Sequence, residues 1–455
     1  MTETIRIKKG LDINLVGKAE KKIGDIAQPD TFALKPTDFV GLNRPKLLVK
    51  EGDIVKAGTP LFFDKMMENV YHTSPVSGEV VEIVRGEKRK LLEVKVLADK
   101  EIKYESFPKY TVSDIKKLEK EDILKTLSKS GVWPNMIQRP YGTVANPEDT
   151  PRNIFISGFD SHPLAPDYDF IFHGGEQYLQ AGIDIVKKLT PGQVHLSMNA
   201  GKEVSPIFTI LKDMILHKIS GPHPAGNVGT QIHHIDPINK GDLVWTTTPL
   251  GLSQIGKLFL EGKYDASRII AITGSGIKNP QYYKTYTGAC IDKIIEDNLS
   301  NDHVRFISGN VLTGERIKAK GYLGFYHSQI TVIPEGDQYE MLGWALPTFK
   351  KLSIQRSFGL LSFLNRRDTE YDLNTNMRGD KRGFVQTNVL EKVFPMDILP
   401  TYLFKAIYAQ DFDDMEELGI YELIEEDVAL MEFVDVSKHD LQKILREGLD
   451  LLQYS

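Results

Sequence analysis

The stretch PKLLVKEGDIVKAGTPLFFDKMMENVYHTSPVSGEVVEIVRGEKRKLLEVKVLA, residues 45–98, decides the first part of the fold. Valine and isoleucine recur in short runs, and turn-forming residues interrupt these runs at 51–53, 57–60, 74–78 and 85–87. Short β-rich runs separated by Gly, Pro, Asp and Ser are typical of all-β folds. We therefore expect a small two-sheet sandwich in this part of the chain.

After this stretch the pattern changes to alternating strands and helices. Ser113 and Asp114 are candidate caps for a helix, because apolar residues follow them at helical spacing. The strand NIFIS at 153–157 precedes an amphipathic helix at 176–189, and the strand QVHLSM at 193–198 comes next. Strand, helix and strand in this order predict an α/β layer with a parallel sheet.

The last third of the chain divides into two patterns. Residues 256–345 mix strands with one short helix, which predicts a compact α+β module. From 389 onward the chain is acidic and is predicted to be helical. The acidic cluster at 411–417 is typical of a helix start, since carboxylates favour a helix N-terminus.

Composition excludes several classes of protein. The 455 residues carry 56 basic and 62 acidic side chains, a net charge of −6, which does not indicate a nucleic-acid surface. The single cysteine, Cys290, excludes an internal disulfide and an all-cysteine iron–sulfur cluster. The opening MTETIRIKKG lacks the apolar core of a signal peptide. Apolar runs such as Ile269–Ile272 are far shorter than the ~20 residues of a membrane span.

Several motifs, in order along nearly the whole chain, resemble one known family. They are IRIKKGLDINLVG at 5–17, the β-rich stretch above, GPHPAGNVGT at 221–230, GKLFLEG at 256–262, ISGNVLTG at 307–314 and ELIEEDVALMEFVDVSKHD at 422–440. The family is the A subunit of the sodium-translocating NADH:quinone oxidoreductase. Its architecture is similar to the C subunit of the Rnf complex and to the flavin-carrying NADH subunit of respiratory complex I.

The resemblance implies a multidomain α/β plus α+β architecture of four parts. These are an N-terminal segment with a biotinyl/lipoyl-like barrel-sandwich hybrid (1–112), a Rossmann-like α/β domain (113–255), a β-grasp domain of the SLBB type (256–388) and a C-terminal helical domain (389–455). In carrier proteins a modified lysine stands on a hairpin of such a barrel. Lys65 is the candidate here, but the inserted ENVYHT favours an ordinary surface lysine.

One loop bears on whether this chain binds flavin. Relatives that bind FMN have a run of glycines here, so that backbone N–H groups can approach a phosphate. This chain has SGVWPNMIQRPYGTV at 130–144, with no glycine between Gly131 and Gly142 and with two prolines, which remove donors. The next strand ends in GFDSHP, where Asp160 and His162 stand in place of an acidic pair. The resemblance therefore implies no tightly bound cofactor on this chain, and the ordinary interpretation of Asp160 and His162 is a hydrogen-bonded turn.

The string GPHPAGNVGT is a second candidate site. His223, Gly226 and Gly229 could form a loop that binds an anion or another ligand through backbone N–H groups, or a rigid crossover in the Rossmann-like domain. His233 and His234 follow closely, but adjacent residues on a strand point to opposite faces. We expect no metal site.

A quinone head group needs a flat apolar slot and one or two hydrogen-bond donors. The side chains that we predict for such a site are Phe39, Arg44, Trp133, Met136, Arg139, Tyr141, Asp160 and His162. Two alternatives stand beside this prediction. Trp133 and Tyr141 could be core residues that fill the vacated flavin pocket, and the quinone site could lie on a membrane partner.

The resemblance further implies a peripheral subunit on the cytoplasmic side of the bacterial inner membrane. Its partners would be other subunits, notably a membrane-embedded one, together with quinone and without nucleic acid. NADH, FMN, FAD and 2Fe-2S centres would belong to the other subunits, which together oxidise NADH, reduce quinone and export sodium. The alternatives from other classes are an autonomous flavin- or NADH-dependent dehydrogenase and a carrier protein that depends on Lys65.

Overall fold

A computed structural model describes residues 4–25, 28–201, 205–338, 340–342, 346, 351–352, 364, 368–384 and 388–454. Within these ranges four sheets are present, with seven, six, four and three strands. The chain opens with two short strands, β1 (Thr4–Arg6) and β2 (Glu20–Gly24). Neither strand joins the barrel that follows.

The barrel has the two-sheet architecture that its punctuated sequence predicts. Its strands are β3 (Thr31–Leu34), β4 (Pro45–Leu47), β5 (Ile54–Val55), β6 (Pro60–Asp64), β7 (Met67–Thr73), β8 (Gly78–Arg85) and β9 (Leu91–Ala98). One sheet has the order β3-β9-β8-β5 and the other β4-β6-β7. Leu61, Val80 and Val96 are fully buried and belong to its core. Lys65 is exposed in the turn between β6 and β7.

The second domain is a layered α/β structure. Its elements are α1 (Val112–Ile115), α2 (Lys120–Ser130), β10 (Ile137–Arg139), β11 (Thr143–Val144), β12 (Ile154–Ser157), α3 (Tyr168–Phe172), α4 (Glu176–Val186), β13 (Val194–Asn199), α5 (Pro206–Thr209), β14 (Ile215–Ser220), α6 (Val228–Ile235), β15 (Val244–Thr247) and α7 (Pro249–Glu261). The sheet order is β1-β14-β13-β12-β15-β10-β11. Strands β14, β13, β12 and β15 are parallel, as predicted.

This sheet contains a topological switch point. From β12 the chain moves to β13 and β14 on one side, and then returns to place β15 on the other side of β12. The strand order therefore changes direction between β12 and β15, whose carboxyl ends lie side by side. A crevice at that position is where open α/β sheets usually bind ligands.

Three local predictions in this domain need correction. Thr111 caps α1 instead of Ser113 or Asp114: its hydroxyl accepts from Asp114 N, and the Asp114 carboxylate accepts from Thr111 N. His233 and His234 lie on α6 and not on a strand. The boundary predicted between 255 and 256 falls inside α7, which is one continuous helix from its Thr248 cap to Gly262.

The third domain is an α+β module, as predicted. It contains β16 (Ser267–Thr273), β17 (Gln281–Tyr286), α8 (Asp292–Ile295), β18 (Val304–Ser308), β19 (Glu315–Ile317) and β20 (Gln329–Pro334). Its sheet order is β19-β18-β20-β16-β17-β2. The N-terminal segment is thus divided: β1 pairs with β14 of the α/β domain, and β2 pairs with β17 here.

The C-terminal domain is helical. It comprises α9 (Pro400–Ala409), α10 (Phe412–Glu417), α11 (Glu425–Val434) and α12 (Leu441–Tyr454). The acidic cluster begins α10 as predicted, because Asp411 accepts from Asp414 N at 3.1 Å. Buried Leu403, Leu445 and Leu449 join these helices in one apolar core. Within the described ranges, no helix combines the length and the apolar character that a bilayer crossing requires.

Candidate functional site

A cavity of about 550 Å³ opens at the switch point of the seven-stranded sheet. Ser157 at the end of β12 and Thr247 at the end of β15 line its floor. The other domains complete it: Val40 from the barrel, Tyr326 from the β-grasp module and Glu426 from α11. The cavity is therefore a junction of four domains, a position that ligand pockets favour.

Asp160 and His162, which were predicted near a strand end, line this cavity. Asp160 Oδ1 accepts from His162 N at 2.8 Å and lies 2.7 Å from His162 Nδ1, so the hydrogen-bonded turn is confirmed. Burial opposes ionisation of Asp160, but the adjoining imidazole outweighs burial and lowers the pKa of the carboxyl. Burial also opposes protonation of His162, and the carboxylate outweighs it and raises the pKa of the ring. The two side chains form an ion pair whose His162 Nε2 has no hydrogen-bond partner among the described residues.

The GPHPAGNVGT loop packs behind this pair. The His223 ring lies 4.6 Å from the His162 ring, centroid to centroid. Ser161 Oγ accepts from Gly226 N at 2.8 Å and lies 3.0 Å from His223 Nδ1. Burial, followed by the charge of His162, lowers the pKa of His223 well below its usual value. His223 is thus a neutral ring, and Gly226, which lines the cavity, allows the close approach of Ser161.

Arg139 was predicted as a donor for a ligand, but its guanidinium forms hydrogen bonds with other residues of the chain. Its Nη1 donates to Asp427 Oδ2 at 2.7 Å and to the Glu422 carbonyl, and its Nη2 donates to Glu426 Oε1 at 2.7 Å. The arginine side chain is 1% exposed. A Cβ on Gly229 would lie 2.5 Å from Arg139 Nη1 and closer still to Asp427, so this glycine leaves room for the ion pair. Arg139 joins the α/β domain to α11 and does not line the cavity.

Two residues of the predicted apolar slot are core residues. Trp133 and Met136 are fully buried. Trp133 Nε1 donates to the Ala145 carbonyl at 2.6 Å, and the ring packs edge-on against Trp245 at 5.4 Å. The indole therefore has its polar group satisfied internally, which is the arrangement expected of a packed tryptophan. The loop contributes Asn135 and Ile137 to the cavity instead.

The other three predicted residues lie outside the cavity lining. Phe39 is buried between His72 and Phe325, with ring centroids 4.2 and 4.9 Å away. Tyr141 packs edge-on against Tyr421 at 6.1 Å. Arg44 is exposed on the barrel. The structure thus brings together Asp160, His162 and Gly226 of the predicted set and separates them from the aromatic slot.

Comparison with known proteins covers the whole chain. The A subunit of the Na(+)-translocating NADH-quinone reductase from Psychromonas ingrahamii is 36% identical over 450 residues, which is 99% of both chains. The corresponding protein from Pasteurella multocida is 36% identical over 455 residues, again at 99% coverage of both. This chain belongs to the NqrA family.

Three domain descriptions of the NqrA family match in the order expected. The N-terminal barrel-sandwich hybrid domain matches residues 5–99, the second alpha/beta domain matches 118–264, and the C-terminal domain matches 269–319. The predicted fold class is confirmed. A NAD+-reducing NiFe hydrogenase structure in the air-oxidised state gives a TM-score of 0.38 at 10% identity over 78% of this chain and 67% of that one.

Sequence reasoning missed several residues at the cavity of this NqrA-family chain. Glu426 is held by Arg139, and its pKa is raised by burial and by the neighbouring Asp427 against the effect of the arginine. Burial and the charges of Asp160 and Glu426 raise the pKa of Tyr168, so its phenol stays protonated. Tyr326 donates to the Pro134 carbonyl at 2.7 Å. The run Glu425-Glu426-Asp427 at a helix start was the one available signal.

The histidines of this NqrA-family chain do not assemble a metal site in the part that the structure describes, where no three His, Cys, Asp or Glu side chains cluster suitably. His233 Nδ1 pairs with Glu422 at 2.8 Å, and its Nε2 accepts from Asp397 N at 3.0 Å. His234 Nδ1 lies 2.9 Å from the Thr230 carbonyl of the same helix. Both rings are used within the helical packing.

Proposed function

We propose that this chain is the peripheral A subunit of a Na(+)-translocating NADH-quinone reductase, with its site at the switch-point cavity. The support for the subunit role is the match to NqrA relatives over 99% of both chains. The partners would be the other subunits of the reductase, notably a membrane-embedded one. The single cysteine fits a reducing compartment, so the chain would lie on the cytoplasmic side.

In this proposal the redox cofactors of the complex, NADH, FMN, FAD and 2Fe-2S, are carried by other subunits. The loop of residues 130–144, where related proteins have a glycine run, contains buried Trp133 and Met136. The loop also has prolines at 134 and 140, which provide no backbone N–H group for a flavin phosphate. An autonomous flavin- or NADH-dependent dehydrogenase receives no support from the relatives, which are named as subunits.

The proposed ligand of the cavity is a quinone head group. The observation that carries this proposal is the Asp160–His162 pair at the switch point, because the protonated ring offers a buried Nε2–H without a described partner. A quinone carbonyl is an acceptor that this group could satisfy. The Tyr168 phenol, which stays protonated, is a second donor in the lining. Phe159, Ile137 and Val228 supply apolar walls.

The chain would bind and orient the head group, while electrons would arrive from other subunits. A hydrogen bond from a charged ring favours the form of the quinone that carries more negative charge on its oxygens. Asp160 would keep His162 charged and fix its Nδ1, so that Nε2 faces the ligand. Arg139, Trp133 and Met136 would position the cavity walls without touching the ligand, which revises their predicted role.

Tryptophan fluorescence provides the test. Trp133 and Trp245 lie beside the cavity, since Asn135 and Thr246 line it. Titration with a short-chain ubiquinone should quench this emission, and His162→Gln should weaken binding about tenfold, the equivalent of one charged hydrogen bond of roughly 1.4 kcal/mol. His173→Gln, a variant of an exposed histidine, is the matched control and should bind normally. Equal affinity of His162→Gln and the unmodified chain would mean that the quinone site lies elsewhere, most simply on a membrane partner.

A further inference from the structure

The exposed aromatic side chains are concentrated on one domain. Among the residues that the structure describes, the exposed Phe and Tyr side chains are Tyr402, Tyr408, Phe412 and Tyr454, and all four lie on the C-terminal helices. Tyr402 and Tyr408 are each 59% exposed, and Tyr454 is 60% exposed. Tyrosine is enriched at protein interfaces because it offers a large rigid surface with a polar end.

Helix α9 carries two of these aromatics, Tyr402 and Tyr408, between two grooves. The first groove, of about 490 Å³, is lined by Leu399, Tyr402, Ala409 and residues of α10. The second, of about 550 Å³, is lined by Ile407, Tyr408 and residues of α12. Leu399 is 54% exposed at the start of the helix. One helix thus presents an apolar and aromatic ridge with a depression on either side.

Both grooves are lined by carboxylates. The described lining of the two grooves includes five carboxylates, from Asp411, Asp414, Glu417, Glu447 and Asp450. Lys405 is the one ammonium among the described lining residues, and it lies 5.9 Å from the Tyr402 ring centroid. The nearby acids Glu447 and Asp440 contribute, after burial, to a raised pKa of Tyr408. Lys443 lies 3.9 Å from Glu447 and Arg446 lies 3.3 Å from Asp450, so the negative charge is concentrated in the first groove.

We infer that this acidic aromatic face, formed by α9 with the facing sides of α10 and α12, docks a basic amphipathic segment of a partner chain. Such a segment would lay apolar side chains along Tyr402 and Tyr408 and direct lysines or arginines to Asp414 and Glu417 in the first groove. A second copy of this chain would bring acid against acid, and an anionic membrane surface would be repelled in the same way. The inference rests on the proposed subunit role, which supplies the partner.

Charge reversal tests the electrostatic part in the complete complex from native membranes. Asp414→Lys with Glu417→Lys should lower the amount of chain retained on the membrane subunits about tenfold at physiological salt. Asp411 is left unchanged because it caps α10. The matched control is Glu68→Lys with Glu148→Lys, the same charge change at two exposed acids of other domains, and it should be retained normally. Unchanged retention of the first variant, or equal loss in both, overturns the inference.

A photoreactive benzophenone amino acid at position 402 tests the contact itself. We expect a cross-link to another component of the reductase, at a peptide with an excess of lysine and arginine. Cross-linking to lipid, to a second copy of this chain or to an acidic peptide overturns the inference, and so does the absence of a cross-link. If the unmodified chain fails to co-purify with membrane subunits, the proposed function fails and the docking inference falls with it. If it does co-purify, the charge-reversal variant and the benzophenone variant test the docking surface independently of the proposed function.

Discussion

Two neighbouring parts of the α/β domain are both predicted to bind ligand, and they differ in how their polar groups are used. In the loop of residues 130–144, Trp133 Nε1 has a carbonyl acceptor and Arg139 has two carboxylates. In the turn after β12, the Nε2 of His162 has no partner among the described residues, although it is buried. Buried polar groups in proteins are usually hydrogen-bonded. The contrast teaches that position decides, because Arg139 Nε is also buried without a described partner but lies outside the cavity, whereas His162 lines it.

The largest expected effect tests whether the loop is structural. Arg139→Ala removes the cation that faces two carboxylates, and Asp427 is fully buried. Breaking a buried ion pair by deleting one partner costs about 3–5 kcal/mol, because the other charge is left uncompensated. Thermal unfolding followed by circular dichroism should show a large fall in melting temperature.

Arg44→Ala is the matched control for Arg139→Ala, since Arg44 is exposed on the barrel. An exposed side chain away from special features changes stability by about 0.5 kcal/mol or less. If Arg139→Ala proves as stable as Arg44→Ala, the guanidinium is free to serve a ligand. The distinction between core loop and binding turn would then be wrong.

A smaller effect is expected at Gly229, a residue of α6 that lies against the Arg139–Asp427 ion pair. A Cβ there would clash with Arg139 Nη1 and the Asp427 carboxylate. Overpacking of this kind costs about 1–3 kcal/mol, so Gly229→Ala should lower the melting temperature. Gly383→Ala is the control, because its Cβ would meet no atom of the described residues within 4 Å. A neutral Gly229→Ala would indicate that α6 and α11 can move apart without loss.

The sequence predicts the elements better than their assembly. Turn residues at 51–53 and 85–87 mark the barrel strands, and Asp160 with His162 follows a strand of a predicted parallel sheet. Carboxyl ends of parallel strands share one edge, so their convergence at the cavity could be foreseen. The strand β1 has three residues and pairs with β14 more than 200 positions later, a pairing that no local pattern encodes.

The same physical reason explains why some residues of the site were not predicted from the sequence. Glu426 and Tyr326 reach the cavity from other domains, and local periodicity carries no information about such contacts. The predicted apolar slot was wrong for Trp133 and Phe39. Aromatic residues are common in ligand pockets, but these two side chains are buried in the core. His233 and His234 were treated as adjacent strand residues, yet both belong to α6 and their rings are used in helical packing.

The smallest expected effect concerns the pH dependence of the binding turn. The pKa of His162 is raised in the folded chain, so its contribution to stability is complete below the unfolded value of about 6.5 and is lost as pH rises through the folded pKa. The pKa of Asp160 is lowered, so its contribution is present above about 3.9 and is lost as pH falls through the folded pKa. The ion pair therefore stabilises the fold most between these limits.

His162→Gln should be destabilised relative to the unmodified chain by an amount that is largest near pH 5 and 6. The difference should shrink as pH rises above 6.5. Its total decrease should be about 1.4 kcal/mol for each pH unit by which the folded pKa of His162 exceeds the unfolded pKa. Melting temperatures of both proteins across pH 4 to 9 measure it, and His173→Gln, at an exposed ring, should follow the unmodified chain throughout. A difference independent of pH would mean that His162 is held as a neutral ring. It would then resemble its neighbour His223, and the turn would lack the charge that separates it from the core loop.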